Sequence, residues 1–267
     1  MICDDKTEEI LRFTLADCAF FSDIYSYDTV TSTNDICKEL AASGAKEGSL
    51  VIAKSQTAGR GRLGRRFHSP LNNGLYMSLL LRPQGESFAP GLLTACGAVA
   101  VHQAICKLYH VALDIKWVND LYFDGKKLCG ILAEGQFDSQ GKPLYVIMGI
   151  GVNLYPPQEG YAEDIRQIAT SLFDACPECT IDRNELCAEI VRQFANIYKG
   201  LPNRDFLQIY RKHAFVLDKK VRYEKQGKTM NGTAVSIDDE ARLIVRDDDG
   251  NDITLDSGEI TLLRPVL

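Results

Sequence analysis

The run Gly59-Arg60-Gly61-Arg62-Leu63-Gly64-Arg65-Arg66 follows the apolar stretch Leu50-Val51-Ile52-Ala53, and its residue types suit a loop wrapped around an anion. Glycine lets the backbone approach closely and take positive φ, while arginine offers a planar fork of donors matched to carboxylate and phosphate. The three glycines also satisfy G-x-G-x-x-G, the dinucleotide pattern, which needs a helix opening at the glycines and an acid about 20 positions on. Here the chain continues through Pro70 and Asn72-Asn73-Gly74, and the place for the acid holds Leu79-Leu80-Leu81-Arg82. A nicotinamide oxidoreductase is therefore the weakest reading of this loop.

Lys116 lies in Ile115-Lys116-Trp117-Val118-Asn119-Asp120, where a period of two sets it opposite Ile115 and Trp117. It is either a solvent-facing lysine on an amphipathic strand or a second cation beside the arginine loop, able to help bring two anions together. Ser32 and Thr33 precede Ile36, Cys37 and Leu40, as helix capping requires. A helix N-terminus also offers free N–H groups to polar ligands. Gln56, between strand and loop, can donate and accept.

The elements that must position these groups are visible as periodicities. A capped helix runs from about Thr31 to Gly44, strands cover Leu50 to Lys54 and Leu75 to Leu81, and a largely buried helix spans Leu92 to Tyr109. Asp114 to Val118, Leu121 to Phe123 and Leu128 to Ala133 follow, with Asp124-Gly125 as a hairpin signal, then Leu144 to Met148. Short turns between consecutive strands indicate antiparallel pairing. Helices are expected at about Arg183 to Tyr198 and Arg204 to His213. After Lys219 short alternating segments between Gly and Asp turns suggest a small β-barrel. The domain cut is placed near Leu217, giving domains 1–217 and 218–267.

The 267 residues allow one large or one large plus one small domain, and 25% charged with 45% apolar residues is the mix of a soluble globular protein. A net charge of −6 argues against a partner bound through a nucleic-acid backbone, which makes the arginine cluster a local spot for a small anion. No basic region followed by an apolar core opens the chain, and the stretch Leu92 to Val101 is too short to span a bilayer, so a cytoplasmic protein with no membrane partner is expected. Nine scattered cysteines fit reduced thiols. Cys176-Pro177-Glu178-Cys179 could be half a zinc site or a redox pair, but no second pair follows, and two cysteines in a turn is the preferred reading.

Five ordered segments, Ser32-Thr33-Asn34, Gln56 to Arg65, Lys116 to Leu121, Lys127 to Leu132 and Gly149 to Leu154, together resemble biotin protein ligases, the biotin--[acetyl-CoA-carboxylase] ligases. The resemblance implies an α+β fold: a mixed, mainly antiparallel sheet with helices, class II aminoacyl-tRNA synthetase-like, plus a small C-terminal SH3-like β-barrel. Members that act as repressors carry an N-terminal helix-turn-helix domain, and a short form lacking it is expected, since the motifs begin within about thirty residues of Met1.

Carried over position by position, the family pattern makes Ser32, Thr33, Asn34, Gln56, Arg60, Gly61 and Arg62 biotin contacts, joined by Lys116 and Gly130. Arg62, Lys116, Asn119 and Asn153 match nucleotide-site positions, and Lys116 and Arg62 are the expected catalytic cations. Val118 stands where the family has proline, and Phe67 where some members have tryptophan. The substrates implied are ATP and biotin, with Mg²⁺ and no protein metal site. The partner implied is the carrier domain of a biotin-dependent carboxylase, and the enzyme would be a monomer or homodimer. Biotin would be activated to biotinyl-5'-AMP and passed to a carrier lysine. A lipoate or octanoate ligase of the same superfamily and a non-catalytic biotinyl-adenylate sensor are the rival readings.

Overall fold

The structure, a computed structural model, describes residues 5–83, 90–161, 163, 165–225 and 227–263. Helix α1 (Asp5–Thr14) leads into strand β1 (Ile24–Val30), helix α2 (Thr33–Ala42) and strand β2 (Leu50–Gln56). Strand β3 (Gly74–Leu81) and helix α3 (Pro90–Tyr109) precede four strands, β4 (Asp114–Lys116), β5 (Asp120–Phe123), β6 (Lys126–Phe137) and β7 (Pro143–Asn153). Helices α4 (Leu172–Ala175), α5 (Arg183–Lys199) and α6 (Phe206–His213) lead to β8 (Lys220–Lys225), β9 (Lys228–Ile237), β10 (Leu243–Arg246), β11 (Asp252–Leu255) and β12 (Ile260–Leu262).

The first seven strands form one sheet in the order β1-β2-β3-β7-β6-β5-β4. All neighbours are antiparallel except β1 and β2, which run parallel because α2 carries the chain back between them. Every residue of β3 is buried, which explains its unbroken apolar run: a central strand covered on both faces gains nothing from alternation. Within α3, Ala95, Cys96, Ala98, Val99 and Ala100 are wholly inaccessible, so the helix lies within the core. Gly91–Tyr109 is apolar enough to qualify as a membrane span by length and composition, where the sequence reading found only a shorter stretch, but 72% of it is packed against protein.

The last five strands make an all-antiparallel sheet in the order β11-β10-β9-β8-β12, an open order among the described residues where a small β-barrel was expected after Lys219. Its apolar residues Val221, Tyr223, Leu243 and Val245 join the same hydrophobic cluster as Leu121 and Trp117. Trp117 Nε1 donates to the Ala241 carbonyl at 2.9 Å, which ties the two sheets together beside Lys116. Leu217 falls in the link between α6 and β8.

Two elements escaped the periodicity. Helix α1 buries only Leu11 among its larger apolar side chains, with Leu15 just beyond it, a stripe too narrow for pattern recognition. Strand β1 is short and rich in tyrosine and polar residues, and its burial does not alternate cleanly. Cys176 and Cys179 are joined as a disulfide, their Cα atoms 5.5 Å apart, which corrects the expectation of two reduced cysteines in a turn.

Candidate active site

A small cavity of about 50 Å³ opens where α2 begins, between β2, β6 and β7. The β-region conformation of Ser32 marks the start of α2, but its side chain makes no capping hydrogen bond, contrary to the capping reading. The free N–H of Thr33 is taken instead by Gln56 Oε1 at 2.8 Å. Gln56 Nε2 in turn donates to Ser69 Oγ at 2.8 Å, so one glutamine joins the helix start to the chain beyond the loop. Ser32, Thr33 and Asn34 are buried and line the cavity, and the side chains of Thr33 and Asn34 both lie within hydrogen-bond distance of Ser78 Oγ.

The floor is made of glycines because no side chain fits there. A Cβ on Gly149 would overlap Asn34 Oδ1 and lie 2.9 Å from its Cγ, and one on Gly151 would stand 2.6 Å from the Phe67 ring. Gly130 has Lys127 Nζ 3.1 Å from where its Cβ would be, so its lack of a side chain makes room for that lysine. Gly59 likewise lets the loop pass close to Ser69, whose Oγ would be 2.6 Å from a Cβ.

Beyond the small cavity lies a second of about 440 Å³, walled by aromatic residues including Tyr76, Trp117, Tyr122 and Tyr155 and reaching Glu259 of the C-terminal sheet. Gly61, Arg62, Phe67, Asn119 and Lys127 line both cavities and form the junction between them. The loop turns back on itself there through Gly61 N–H to the Arg65 carbonyl at 2.8 Å and a single 3-10 turn at Arg62–Gly64. Gly64 sits at φ +74, the left-handed region, and exposed Leu63 beside it is at φ 55. Of the loop's three glycines, only Gly64 uses the conformational freedom the sequence suggested.

The junction is cationic. Arg62 NH1 donates to Asn119 Oδ1 at 3.1 Å, and Asn119 is fixed by its Nδ2 bond to the Ile131 carbonyl at 2.9 Å. Asn119 is a neutral acceptor, so it orients the guanidinium without neutralising it. Burial lowers the Arg62 pKa, against the opposing charges of Asp120 and Glu259. Lys127 Nζ pairs with Asp120 Oδ1 at 2.8 Å. Its backbone is pinned as well, the N–H to the Ile168 carbonyl at 2.7 Å and the carbonyl to Thr170 N–H at 3.0 Å. Lys116 Nζ lies 5.8 Å from the Tyr122 ring centroid, and burial lowers its pKa while Asp120 and Glu259 raise it.

Most of the residues singled out from the sequence meet here. Ser32, Thr33, Asn34, Gln56, Arg60, Gly61, Arg62 and Gly130 line the small cavity, and Arg62, Lys116, Asn119 and Asn153 the larger. Lys116 lines the larger cavity and not the smaller one. Arg60 is already engaged by Asp35 at 2.5 Å and Glu134 at 2.6 Å. Asn153 donates to the Thr170 carbonyl at 3.0 Å, which holds the wall segment against Lys127. Lys127 is the residue that sequence reasoning passed over. The signal was a lysine alternating with buried Leu128 on a strand, but only the fold shows it standing between the cavities.

Comparison with known proteins places this geometry in a family. Residues 26–153 match the biotin/lipoate A/B protein ligase family, and residues 216–263 match the biotin protein ligase C terminal domain. The chain is 36% identical over 247 residues to the bifunctional ligase/repressor BirA of Bacillus subtilis, covering 91% of this chain and 75% of that protein. It is 33% identical over 244 residues to a biotin--[acetyl-CoA-carboxylase] ligase of Mycobacterium tuberculosis, covering 87% and 86%. Among solved structures it resembles a biotin protein ligase from Aquifex aeolicus in complex with biotin and ATP, with TM-score 0.76, 27% identity and 91% and 100% of the two chains covered.

Proposed function

The chain belongs to the biotin protein ligases of the biotin/lipoate A/B protein ligase family, and from that premise we propose that its small cavity takes biotin, its larger cavity takes ATP, and the product is biotin on a carrier lysine. The observation that carries the reading is the junction: two cavities of different chemistry meet at Arg62 and Lys127, where two anions would have to react.

In the first step a carboxylate oxygen of biotin attacks the α-phosphorus of ATP. The new C–O–P bond forms as the bond to the β-phosphate oxygen breaks, giving biotinyl-5'-AMP and pyrophosphate. The obstacle is repulsion between a carboxylate and a triphosphate, which fixed cations at the reacting atoms relieve. Lys127, held by Asp120 and by its own backbone, stands where the carboxylate and α-phosphate would meet. Arg62, oriented by Asn119, grips the same point from the loop, and Lys116 reaches the phosphates from the side of β4. Each charge-assisted hydrogen bond contributes about 1.5–3 kcal/mol.

In the second step the carrier lysine amine attacks the anhydride carbonyl and AMP leaves, so no protein nucleophile is needed. Between the steps the anhydride must be kept from water. The loop around Arg62, with Gly64 as its left-handed turn, lines both cavities and would supply that exclusion by ordering over the bound ligand.

A resident metal site does not fit. Among the described residues no group of three His, Cys, Asp or Glu could hold an ion, and Asp120 and Glu259 on the larger cavity are already paired with Lys127 and Arg65. Mg²⁺ would come as part of the nucleotide substrate, held by its phosphates.

Pyrophosphate release from ATP that depends on added biotin tests the reading. Release with biotin and not with lipoate supports it; release only with lipoate or octanoate would move the protein to the related ligases.

A further inference from the structure

Glu134 on β6 is outside the residues lining either cavity, yet three donors converge on its carboxylate, which is 19% exposed. Asn34 Nδ2 donates to Oε2 at 2.7 Å, and Lys38 Nζ at 3.0 Å and Arg60 NH2 at 2.6 Å both reach Oε1. Burial would raise the pKa of this carboxyl, but the bonds from Asn34 and Lys38 and the nearby cations outweigh it and hold it below the ordinary range. The ionised group can only accept, which fixes the Asn34 amide with its oxygen turned inward.

The consequence runs along a chain of hydroxyls. Ser78 Oγ lies 2.6 Å from Asn34 Oδ1 and 2.8 Å from Thr33 Oγ1. A hydroxyl has one proton to give, and Asn34 Oδ1 has none, so Ser78 must donate to Asn34. The contact between Ser78 and Thr33 is then donated by Thr33. Gln56 Oε1, 3.2 Å from the same Thr33 hydroxyl, is served by the Thr33 backbone N–H at 2.8 Å. Thr33 therefore has no proton left for a ligand and faces the small cavity as an acceptor.

We infer that Glu134 is a positioning residue that sets the direction of proton donation along Asn34, Ser78 and Thr33 and tethers Arg60 of the loop, so that the cavity wall accepts from the N–H groups of a cyclic urea. The inference rests on biotin as the ligand of the small cavity.

Glu134→Gln separates this role from packing. The variant is nearly isosteric, and Lys38 and Arg60 keep its amide oxygen in place of Oε1. Its amide nitrogen then faces Asn34, which must turn its oxygen outward. Ser78 donates to Thr33 instead, which occupies a lone pair of the Thr33 hydroxyl and turns its proton to Gln56 Oε1, so the hydroxyl loses part of its accepting capacity towards the ligand. Steady-state pyrophosphate release is expected to show KM for biotin raised at least about tenfold in Glu134→Gln, as in Glu134→Ala. KM for ATP and the thermal midpoint of Glu134→Gln should stay at wild-type values. A wild-type KM for biotin in Glu134→Gln overturns the inference, even if Glu134→Ala is impaired, because filling the space would then suffice. If Glu134→Gln does not fold, Ser78→Ala removes the middle of the relay: the same selective rise supports the inference, and no rise overturns it. Wild-type protein that releases no pyrophosphate with biotin would sink the biotin reading itself, whereas an unaltered Glu134→Gln sinks only the relay.

Discussion

Gly149→Ala is the sharpest test of the cavity floor. Gly149 pairs with Ser78 on β3 and Leu132 on β6, so the sheet holds its backbone from both sides and cannot yield. The added Cβ would overlap Asn34 Oδ1 and stand 2.9 Å from Asn34 Cγ. That is about 1 Å inside ordinary van der Waals contact, so the Asn34 side chain must move by that amount. Its bonds of 2.6 Å with Ser78 and 2.7 Å with Glu134 would then stretch beyond about 3.5 Å and cease to be hydrogen bonds. Losing one neutral and one charged bond in a buried setting costs roughly 2–4 kcal/mol, against a gain of up to about 1 kcal/mol from replacing glycine. The net of about 1–3 kcal/mol corresponds to a fall in Tm of roughly 3–10 °C for a chain of this size. Scanning calorimetry would read that fall, and isothermal titration should show biotin affinity reduced at least about tenfold with ATP affinity kept. A variant with unchanged Tm and unchanged biotin affinity would refute the floor as described.

Further outcomes follow from the junction and the core. Lys127→Ala is expected to lower kcat for biotin-dependent pyrophosphate release by about 10²–10³, the scale of removing one preorganised donor. Lys116→Ala should act mainly on KM for ATP, and near-normal kinetics in that variant would remove Lys116 from the chemistry. Arg62→Ala should let biotinyl-5'-AMP escape at least about tenfold faster in a stopped-flow chase, and an unchanged rate would count against a retaining loop. Burial, aided by the charge of His213 and opposed by the bond to the Leu113 carbonyl, pushes the pKa of His102 down to about 4. The unfolded chain therefore binds the extra proton between about pH 6.5 and 4, so this contribution of roughly 3 kcal/mol is intact above pH 6.5 and lost as the pH falls towards 4. His102→Gln should flatten that limb of a urea-melt pH profile, and an equally steep profile would show that other groups set it.

The site was legible where chemistry is written in residue type. Arg60, Gly61 and Arg62 of the glycine and arginine run proved to line the small cavity, and Ser32, Thr33 and Gln56 proved to be neighbours at one helix start. Lys127 was hidden because its place between two cavities arises only when β6 is laid beside β5 and the 168–170 segment pins its backbone. The resemblance makes Arg60 a biotin contact, and it does line the small cavity, but no local pattern shows its carboxylate partners Asp35 and Glu134, 25 and 74 positions away. The fold followed the same division. Strand β3 and helix α3 were strong apolar signals, but the parallel pairing of β1 with β2 depends on a crossover by α2 that no local pattern encodes.

Incubating the protein with biotin, ATP, Mg²⁺ and a biotin carboxyl carrier domain, then measuring the intact mass of the carrier, tests the central claim most directly. One added biotin, lost when the carrier's acceptor lysine is replaced and formed about 10²–10³ more slowly when Lys127→Ala enzyme is used, is the expected result. An unmodified carrier alongside biotin-dependent pyrophosphate release would contradict transfer to such a carrier, and an unmodified carrier with no release would contradict the ligase account altogether.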